Sequence, residues 1–343
     1  MKREGQVKQI PFFELFHDVE VMEYFLGEKL LLGMKNESGL PVWEPLVDQM
    51  INLHLKLGYD YCRANPLIGL TFKSFRSAKD TAKMATAERV WKDGGIGTIA
   101  NWEDFDTYPW PDVSDIDYSW IETAAKRVPE GMKVMVSIEG VFENVRWLMG
   151  YEAMAYAIYE NPDLVEALFQ KVGRLVTCAL ENAAQIENVG LIVMGEDMGF
   201  NTGTLFAPVF FREHVFQWQK NCVDSAHKNG HVFLLHCCGK IDAIMEDLIE
   251  YVGIDARHSY QDAVTPVEDV YNRYHDRLAI VGGVDIDLLA RGSEGDVRKR
   301  TRQILEACAP GGGYIMGTGN SVANYLNMDN YLAMMDETRK FSL

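Results

Sequence analysis

Short apolar runs of strand length alternate with amphipathic stretches of helical length from Gln9 to the end of the chain. Regular alternation of this kind predicts parallel strands that are joined by crossover helices. The runs interpreted as strands cover residues 10–16, 59–63, 133–139, 190–197, 231–236, 255–258, 278–282 and 313–317. About eight such units favour a sheet closed into a (β/α)8 barrel, the TIM barrel, over an open doubly wound sheet. We therefore expect one α/β domain over residues 1–343.

The helical stretches carry residues that commonly begin and end helices. Asn161 and Pro162 indicate an N-cap followed by a first helical turn. Apolar residues at helical spacing follow them, namely Leu164, Leu168, Val172, Leu175, Ala179 and Ala183. Pro208 and Gly230 mark the start and the end of the next helical region, directly before a buried strand.

Residues 65–115 interrupt the alternation and are interpreted as an insertion in the barrel. The glycine-rich run Gly94–Trp102 predicts a hairpin within it, and Tyr108–Asp112 predicts a loop. No G-x-G-x-x-G motif follows a strand, and no phosphate-binding-loop lysine is present. These absences weigh against a nucleotide-binding fold.

The composition is that of an acidic globular protein. The 343 residues include 33 lysines and arginines and 50 aspartates and glutamates, which gives a formal charge of −17. This excess of acidic residues argues against a nucleic-acid partner, which requires a basic surface. No apolar run is long enough to cross a bilayer, so we expect no membrane partner. Six cysteines without a C-x-x-C pair are typical of a reducing compartment, and we expect a cytoplasmic protein.

Polar side chains follow nearly every predicted strand. TIM barrels place their chemistry at the carboxyl ends of the strands, so these residues are candidates for one site. The set comprises Glu14, Arg63, Glu139, Glu196, Asp197, His236, Cys238, His258, Tyr260, Asp285, Thr318 and Asn320. Any one of them alone is more typical of a solvated loop or a helix cap. Polar groups gathered at one rim must be paired or used, so the collective pattern predicts a binding or catalytic site.

The run His231–Gly239 has the sequence His-Val-Phe-Leu-Leu-His-Cys-Cys-Gly and ends a strand in three potential ligands. Its apolar part suits a strand that is buried on both faces. His236 and Cys238 are two residues apart and point to the same side of a strand, whereas Cys237 faces away. An imidazole and a thiolate that converge in this way suit zinc. The alternative is that these are ordinary buried core residues, and the run alone does not decide between the two.

Five segments carry a specific set of motifs in a fixed order, and they are Gly195–Thr204, Pro208–Phe211, His231–Gly239, Gly282–Asp285 and Ala309–Ile315. This set resembles the uroporphyrinogen decarboxylase superfamily from about residue 130 to the end of the chain, and more loosely over residues 9–60. The resemblance implies a (β/α)8 barrel. It also implies one of two activities: cofactor-free decarboxylation of uroporphyrinogen, or zinc-dependent transfer of methyl groups to or from a corrinoid protein.

The N-terminal region separates these two branches. Members that decarboxylate uroporphyrinogen carry an arginine-rich segment that binds the many carboxylates of the substrate. Residues 9–62 of this chain contain no arginine, and Pro41–Leu46 has none at the corresponding place. An acidic protein without these arginines is poorly suited to a polycarboxylate substrate. The resemblance is therefore closer to the methyltransferase branch.

In that branch the histidine and cysteine after the central strand supply two zinc ligands, which correspond here to His236 and Cys238. A cysteine shortly after the Gly-Gly-Tyr-Ile strand supplies a third ligand, but this chain has Asn320 at that place. We expect Asp197 to replace the missing cysteine, with Glu196 and Glu139 as alternatives.

The function expected from the resemblance is a zinc-dependent methyltransferase that removes a methyl group from a small methoxylated or methylated compound. A corrinoid carried by a partner protein would take part in the reaction. The expected catalytic residues are Asp197, Glu196 and Tyr260, and the expected substrate-binding residues are Glu14, Glu139, His258, Asp285 and Asn320.

Two other functions remain open. The first is a metal-free, decarboxylase-like lyase with Asp60 and Tyr260 as its acid and base groups. The second is a barrel that binds a tetrapyrrole or another small ligand without catalysis. A fold shared among many functions does not distinguish these possibilities.

Overall fold

The computed structural model describes residues 9–73, 75–92, 95 and 97–342. Within these ranges the strands are β1 Tyr61–Ala64, β2 Phe75–Lys79, β3 Glu88–Lys92, β4 Lys133–Glu139, β5 Val189–Gly195, β6 Gly199–Phe200, β7 Gly203–Thr204, β8 Val232–His236, β9 Ala256–His258, β10 Ala279–Val281 and β11 Tyr314–Ile315. The α-helices are α1 Val19–Leu26, α2 Glu44–Leu57, α3 Trp102–Thr107, α4 Ser119–Arg127, α5 Val141–Met149, α6 Tyr151–Glu160, α7 Pro162–Ala183, α8 Pro208–His214, α9 Phe216–Lys228, α10 Val267–Tyr274, α11 Ile286–Arg291, α12 Glu294–Cys308 and α13 Met328–Lys340. Short 3-10 helices cover Val113–Asp115 and Asp242–Ile244, and a π-helix covers Asp247–Val252.

Seven strands form one curled parallel sheet in the order β1-β4-β5-β8-β9-β10-β11. This arrangement confirms the predicted α/β barrel. In β8 the residues Phe233, Leu234 and Leu235 are fully buried, as expected for a strand that has a core on both faces. Parallel pairing aligns Gly195 of β5 with His236 of β8, and His236 with His258 of β9. The carboxyl ends of these three strands therefore lie side by side.

Residues 10–17 close the barrel without forming a regular strand. Beside β11, Met316 N donates to Pro11 O at 3.0 Å and Phe13 N donates to Met316 O at 2.9 Å. Beside β1, the Tyr61 hydroxyl accepts from Glu14 N at 2.8 Å and donates to Glu14 O at 2.9 Å. The Tyr61 hydroxyl thus replaces the backbone hydrogen bonds that a regular strand would make to β1. In addition, Pro11 has no N–H to donate. For these reasons the strand expected at residues 10–16 is reduced to isolated bridges.

The sequence predicted a helix that starts at Pro162 and carries an apolar stripe, and α7 confirms this prediction. It begins at Pro162, and all six residues of the stripe are buried. Asn161 occupies the N-cap position, but its side chain makes no capping hydrogen bond, and Pro162 suits the first turn of the helix. The helical region that begins at Pro208 is divided at Val215 into α8 and α9.

The insertion contains an antiparallel hairpin of β2 and β3, in which Phe75 pairs with Lys92 and Lys79 pairs with Glu88. This hairpin lies before the run Gly94–Trp102 that was expected to form one, and Gly94 and Ile96 lie outside the described residues. The long connection at residues 80–87 lacks the Asn-Gly type of turn that marks a tight hairpin in a sequence. No helix in the described ranges is long and apolar enough to cross a membrane.

Candidate metal centre and barrel mouth

Asp197, His236 and Cys238 bring their ligand atoms within 4.8 Å of one another. His236 is the last residue of β8, and its register partner Gly195 is the last residue of β5. Asp197 and Cys238 each lie two residues beyond these partners, so two parallel strands deliver their donors to the same point. The pairing of β5 with β8 therefore creates the site.

The spacing of the three donors fits a zinc ion. His236 Nε2 lies 3.4 Å from Cys238 Sγ and 3.8 Å from Asp197 Oδ1. Donors at tetrahedral zinc, with bonds of about 2.0–2.3 Å, are separated by roughly 3.3–3.8 Å. Asp197 Oδ1 also accepts from Cys238 N at 2.9 Å, which fixes the carboxylate beside the thiol. One imidazole, one sulfur and one carboxylate leave room for a further ligand.

Two glycines allow the loops that carry these donors to pack closely. A Cβ on Gly199 would lie 2.6 Å from the Cys238 carbonyl oxygen, and a Cβ on Gly239 would lie 2.5 Å from the Gly199 carbonyl carbon. Gly239 also has a φ of 78°, a conformation that side chains disfavour. Residue 239 must therefore be a glycine for the loop after Cys238 to contact the loop after Asp197.

Two hydrogen bonds fix the tautomer of His236. His258 Nε2 faces the Thr318 carbonyl at 3.1 Å, and a carbonyl only accepts, so this nitrogen carries the proton. Burial lowers the pKa of His258 well below its usual value and keeps the ring neutral, so its Nδ1 is an acceptor. His236 Nδ1 lies 2.8 Å from that atom and must donate. The Nε2 lone pair of His236 therefore points at Cys238 and Asp197, as a metal ligand requires.

Gly282 makes the contact between His258 and Thr318 possible. Its φ is 84°, and a Cβ at this position would lie 2.4 Å from the Thr318 carbonyl oxygen and 2.9 Å from His258 Nε2. Any side chain would displace one partner of the hydrogen bond. His258 thus supports His236 from behind, whereas its predicted role was substrate binding.

The Cys238 thiol has polar neighbours from two other strand ends. Asn320 Nδ2 donates to Cys238 Sγ at 3.3 Å, and Ser259 Oγ lies 4.0 Å away. Burial and the nearby Asp197 charge raise the pKa of this thiol well above its usual value. A divalent cation at this point would act in the opposite direction and favour the thiolate.

Cys237 points into the barrel wall, as strand alternation predicts. It is fully buried, and its sulfur accepts from Met198 N at 3.4 Å. Burial raises the pKa of its thiol to about 12, so it remains a neutral core residue.

Glu196 is turned away from the candidate metal centre. Its carboxylate accepts from Phe142 N at 3.0 Å and from Glu143 N at 2.9 Å, in the first turn of α5. These free N–H groups at a helix start favour a negative charge. Burial is the stronger effect and raises the pKa of Glu196 to about 7. A Cβ on Gly140 would lie 2.1 Å from Glu196 Oε2, so glycine at 140 is needed to admit the carboxylate.

Glu14 is also buried and engaged by the backbone. Its carboxylate accepts from Thr318 N at 2.9 Å and lies 2.6 Å from Thr318 Oγ1. Burial raises the pKa of Glu14 to about 8. This contact joins residues 10–17 to the segment after β11, so the structure places Glu14 in the closure of the barrel.

Three further predicted residues have structural partners or lie on another surface. The Tyr260 hydroxyl donates to the Arg257 carbonyl at 3.2 Å, and burial raises its pKa to about 12. Asp285 is the N-cap of α11, where it accepts from Asp287 N at 2.7 Å. Asp60 is exposed and precedes β1, at the opposite end of the barrel from the mouth.

Glu139, by contrast, is exposed in the barrel mouth at the end of β4. Restricted solvation raises its pKa above the usual value, while Lys92 and Arg63 act in the opposite direction. A Cβ on Gly195 would lie 2.9 Å from Glu139 Oε2. The missing side chain at Gly195 therefore leaves the Glu139 carboxylate open towards the neighbouring metal centre.

Sequence reasoning missed two residues that shape the centre. Arg257 is buried, and its Nη2 lies 3.3 Å from the carbonyls of both Cys237 and Gly239, so it holds the loop that carries Cys238. Ser259 is buried beside the thiol. Both lie on or directly after β9, and their only sequence signal was their place next to His258 at a strand end.

The fold and the site define a class of protein: a parallel α/β barrel with a candidate metal centre at the carboxyl ends of its strands. The chain belongs to the uroporphyrinogen decarboxylase family, since the family model "Uroporphyrinogen decarboxylase (URO-D)" matches residues 97–341. This match confirms the family resemblance of the motifs. A comparison with curated proteins found no match.

One solved structure shares the fold of this chain. The chain is similar to a methyltransferase from Methanosarcina mazei, with 15% identity and a TM-score of 0.67, over 98% of this chain and 95% of that chain. It is also similar to a protein described as a vitamin-B12 independent methionine synthase from Listeria monocytogenes, with 13% identity and a TM-score of 0.47, over 98% of both chains. At this identity the first similarity establishes a shared fold.

Proposed function

We propose that this protein is a zinc-dependent methyltransferase of the cytoplasm. It removes a methyl group from a small methoxylated or methylated compound and passes the group to a corrinoid carried by a partner protein. The observation that carries the proposal is the convergence of Asp197, His236 and Cys238 at the ends of β5 and β8. Membership of the uroporphyrinogen decarboxylase family supports it.

The residues of the centre have two proposed roles, which are to bind the metal and to orient the substrate. His236 and Cys238 hold zinc, and Asp197 takes the place of the second sulfur ligand. Zinc, when bound, would supply Lewis-acid activation of the heteroatom that carries the methyl group. An oxygen ligand in place of a thiolate leaves the metal more electrophilic, which suits an ether better than a thiol. Asn320 donates to the Cys238 sulfur and lies where it can orient the substrate.

The placement of Glu139 agrees with its predicted role in substrate binding, whereas the placement of Glu196 changes its assignment. Glu139 is exposed in the mouth, so we assign contact with the substrate to it. Glu196 is bound to the first turn of α5, and we assign it to holding that helix beside the site.

The geometry favours neither alternative function. A decarboxylase-like lyase would rely on Asp60 and Tyr260, but Asp60 lies at the opposite end of the barrel and the Tyr260 hydroxyl is bound to a backbone carbonyl. A barrel that only binds a small ligand does not require an imidazole nitrogen, a thiol sulfur and a carboxylate oxygen within 4.8 Å of one another.

Methyl transfer to free cob(I)alamin tests the proposal. The zinc-loaded protein is mixed with methoxylated aromatics and methylamines, and conversion of cobalt(I) to methylcobalt(III) is followed by absorbance. We expect methylation with at least one donor, loss of the reaction in Cys238→Ser, and retention in Cys237→Ser. Decarboxylation of uroporphyrinogen without added metal would contradict the proposal.

A further inference from the structure

Arg63, at the carboxyl end of β1, forms no ion pair, and the carboxylate whose charge acts on it, that of Glu139, lies farther than 4.0 Å away. No carboxylate of the described residues lies within 4.0 Å of its nitrogens. Its Nε is buried and has no hydrogen-bond partner. The hydrogen bond found for its guanidinium joins Nη2 to the Asn65 amide oxygen at 3.2 Å, with that amide oriented so that its nitrogen donates to Ser137 O. The guanidinium carbon also lies 5.5 Å from the centre of the Phe16 ring.

This environment differs from those of other buried or partly buried arginines in the chain. Arg257 donates to backbone carbonyls, and Arg300 forms ion pairs with Asp262 and Glu268. A guanidinium withdrawn from water without an ion pair is costly. Burial lowers the pKa of Arg63, and the more distant charge of Glu139 offsets only part of that effect. The cost is explained if an anion from solution completes the site.

Arg63 lines a cavity of about 250 Å³ between the ends of β1 and β4. Asn65, Ser137 and Asn144 provide polar lining, and Ile68 and Phe72 provide apolar lining. The Lys92 Nζ lies 4.2 Å from the centre of the Phe72 ring, which lines the cavity, and adds positive potential nearby.

The cavity borders the candidate metal centre. Glu139 lines the cavity, and its carboxylate faces the bare backbone of Gly195 on the neighbouring strand. Three strand-to-strand steps separate β1 from β8, or roughly 14 Å along the sheet. A ring-sized molecule in this cavity can lie between the guanidinium and the metal centre.

We propose that Arg63 binds a carboxylate of the substrate and that the methyl donor is a compact methylated or methoxylated carboxylic acid. A guanidinium suits this task because its donors match the two oxygens of a carboxylate. The carboxylate is held at β1 while the methyl group lies at β8. The location of the methyl end rests on the proposed function, whereas the anion site rests on Arg63 alone.

Calorimetric binding to the zinc-loaded protein tests the anion site without methyl transfer. The probes are two matched pairs, 4-methoxybenzoate with 4-methoxybenzyl alcohol, and methoxyacetate with 2-methoxyethanol. We expect at least one acid to bind tenfold or more tightly than its alcohol. Arg63→Gln should remove that preference, and the exposed Arg291→Gln should retain it. Equal affinity of acid and alcohol in both wild-type pairs would overturn the proposal, as would an unchanged preference in Arg63→Gln.

Thermal unfolding separates a ligand-binding role from a structural one. Because Arg63 forms no ion pair, Arg63→Met should unfold at the wild-type temperature or above it. Arg257→Met should unfold several degrees lower because the carbonyls of Cys237, Gly239 and Ser259 lose their donor. An equal fall in both variants would assign Arg63 to the structure and contradict the proposal. Failure of methyl transfer with an intact acid preference would reject the methyltransferase and leave the anion site standing.

Discussion

The Nδ1 atoms of His236 and His258 lie 2.8 Å apart, and only one of them can carry a proton. The Thr318 carbonyl determines which atom carries it. This carbonyl requires a proton on His258 Nε2, so the neutral His258 ring has no proton on Nδ1, and His236 Nδ1 carries the shared proton. A backbone carbonyl after β11 therefore determines that the Nε2 lone pair of His236 faces Cys238. Such support behind a metal-binding histidine orients the ring and increases its basicity.

His258→Leu should weaken zinc binding by roughly 10- to 100-fold, because His236 loses the acceptor that fixes its tautomer. Competition with a chromophoric chelator measures the affinity. The overall fold should be retained, since leucine is apolar and suits this fully buried position. Wild-type zinc affinity in a folded His258→Leu protein would show that the tautomer is fixed in another way.

Removal of either predicted ligand should release the metal. We expect about one zinc per chain in the wild type and little tightly held zinc in His236→Ala or Cys238→Ser, as measured by elemental analysis after dialysis. Cys237→Ser is the matched control, because its side chain lies in the wall and it should keep the metal. Full zinc content in both ligand variants would exclude these residues as ligands.

X-ray absorption at the zinc edge should show one sulfur neighbour, one imidazole and at least one oxygen. Asp197→Ala should weaken zinc binding strongly, whereas Asn320→Ala should keep zinc and impair turnover.

Asn320→Cys places a thiol beside Cys238, since the Asn320 amide nitrogen lies 3.3 Å from that sulfur. This variant should raise the sulfur count at zinc to two. Two sulfurs in the wild type would contradict a carboxylate ligand.

Glu14→Gln should stabilise the protein more at pH 8 than at pH 5. Burial raises the pKa of Glu14 from 4.5 to about 8, so the folded state holds a proton that the unfolded state releases in this range. Stability from the neutral carboxyl is complete below pH 4.5 and is lost as pH rises towards 8. Glutamine stays neutral throughout, so its advantage should grow by up to a few kcal/mol, at about 1.4 kcal/mol per pKa unit.

Urea unfolding at both pH values gives this difference. The exposed Gln303→Ala variant changes no ionisable group and serves as a control, in which the difference from wild type should stay nearly constant between the two pH values. An equal effect of Glu14→Gln at pH 5 and pH 8 would show that Glu14 is ionised in the folded protein.

The barrel and two of the candidate ligands could be predicted from sequence because the signals are local. The apolar stripe of α7 depends on a period within one helix, and the common direction of His236 and Cys238 depends on alternation within one strand. Glu196 and Asp197 lie just after β5, and the backbone of α5 binds Glu196 while Asp197 lies beside His236 and Cys238.

Tertiary structure decided which of the polar residues at strand ends are free to act. Glu14, Glu196 and Asp285 are bound by backbone groups, two of them by groups far along the chain, and a sequence does not display such partners. Asn320 meets Cys238 across 82 positions because parallel strands bring their carboxyl ends to one rim. The unpaired state of Arg63 is likewise visible only in three dimensions, because it depends on the distance from every carboxylate around it.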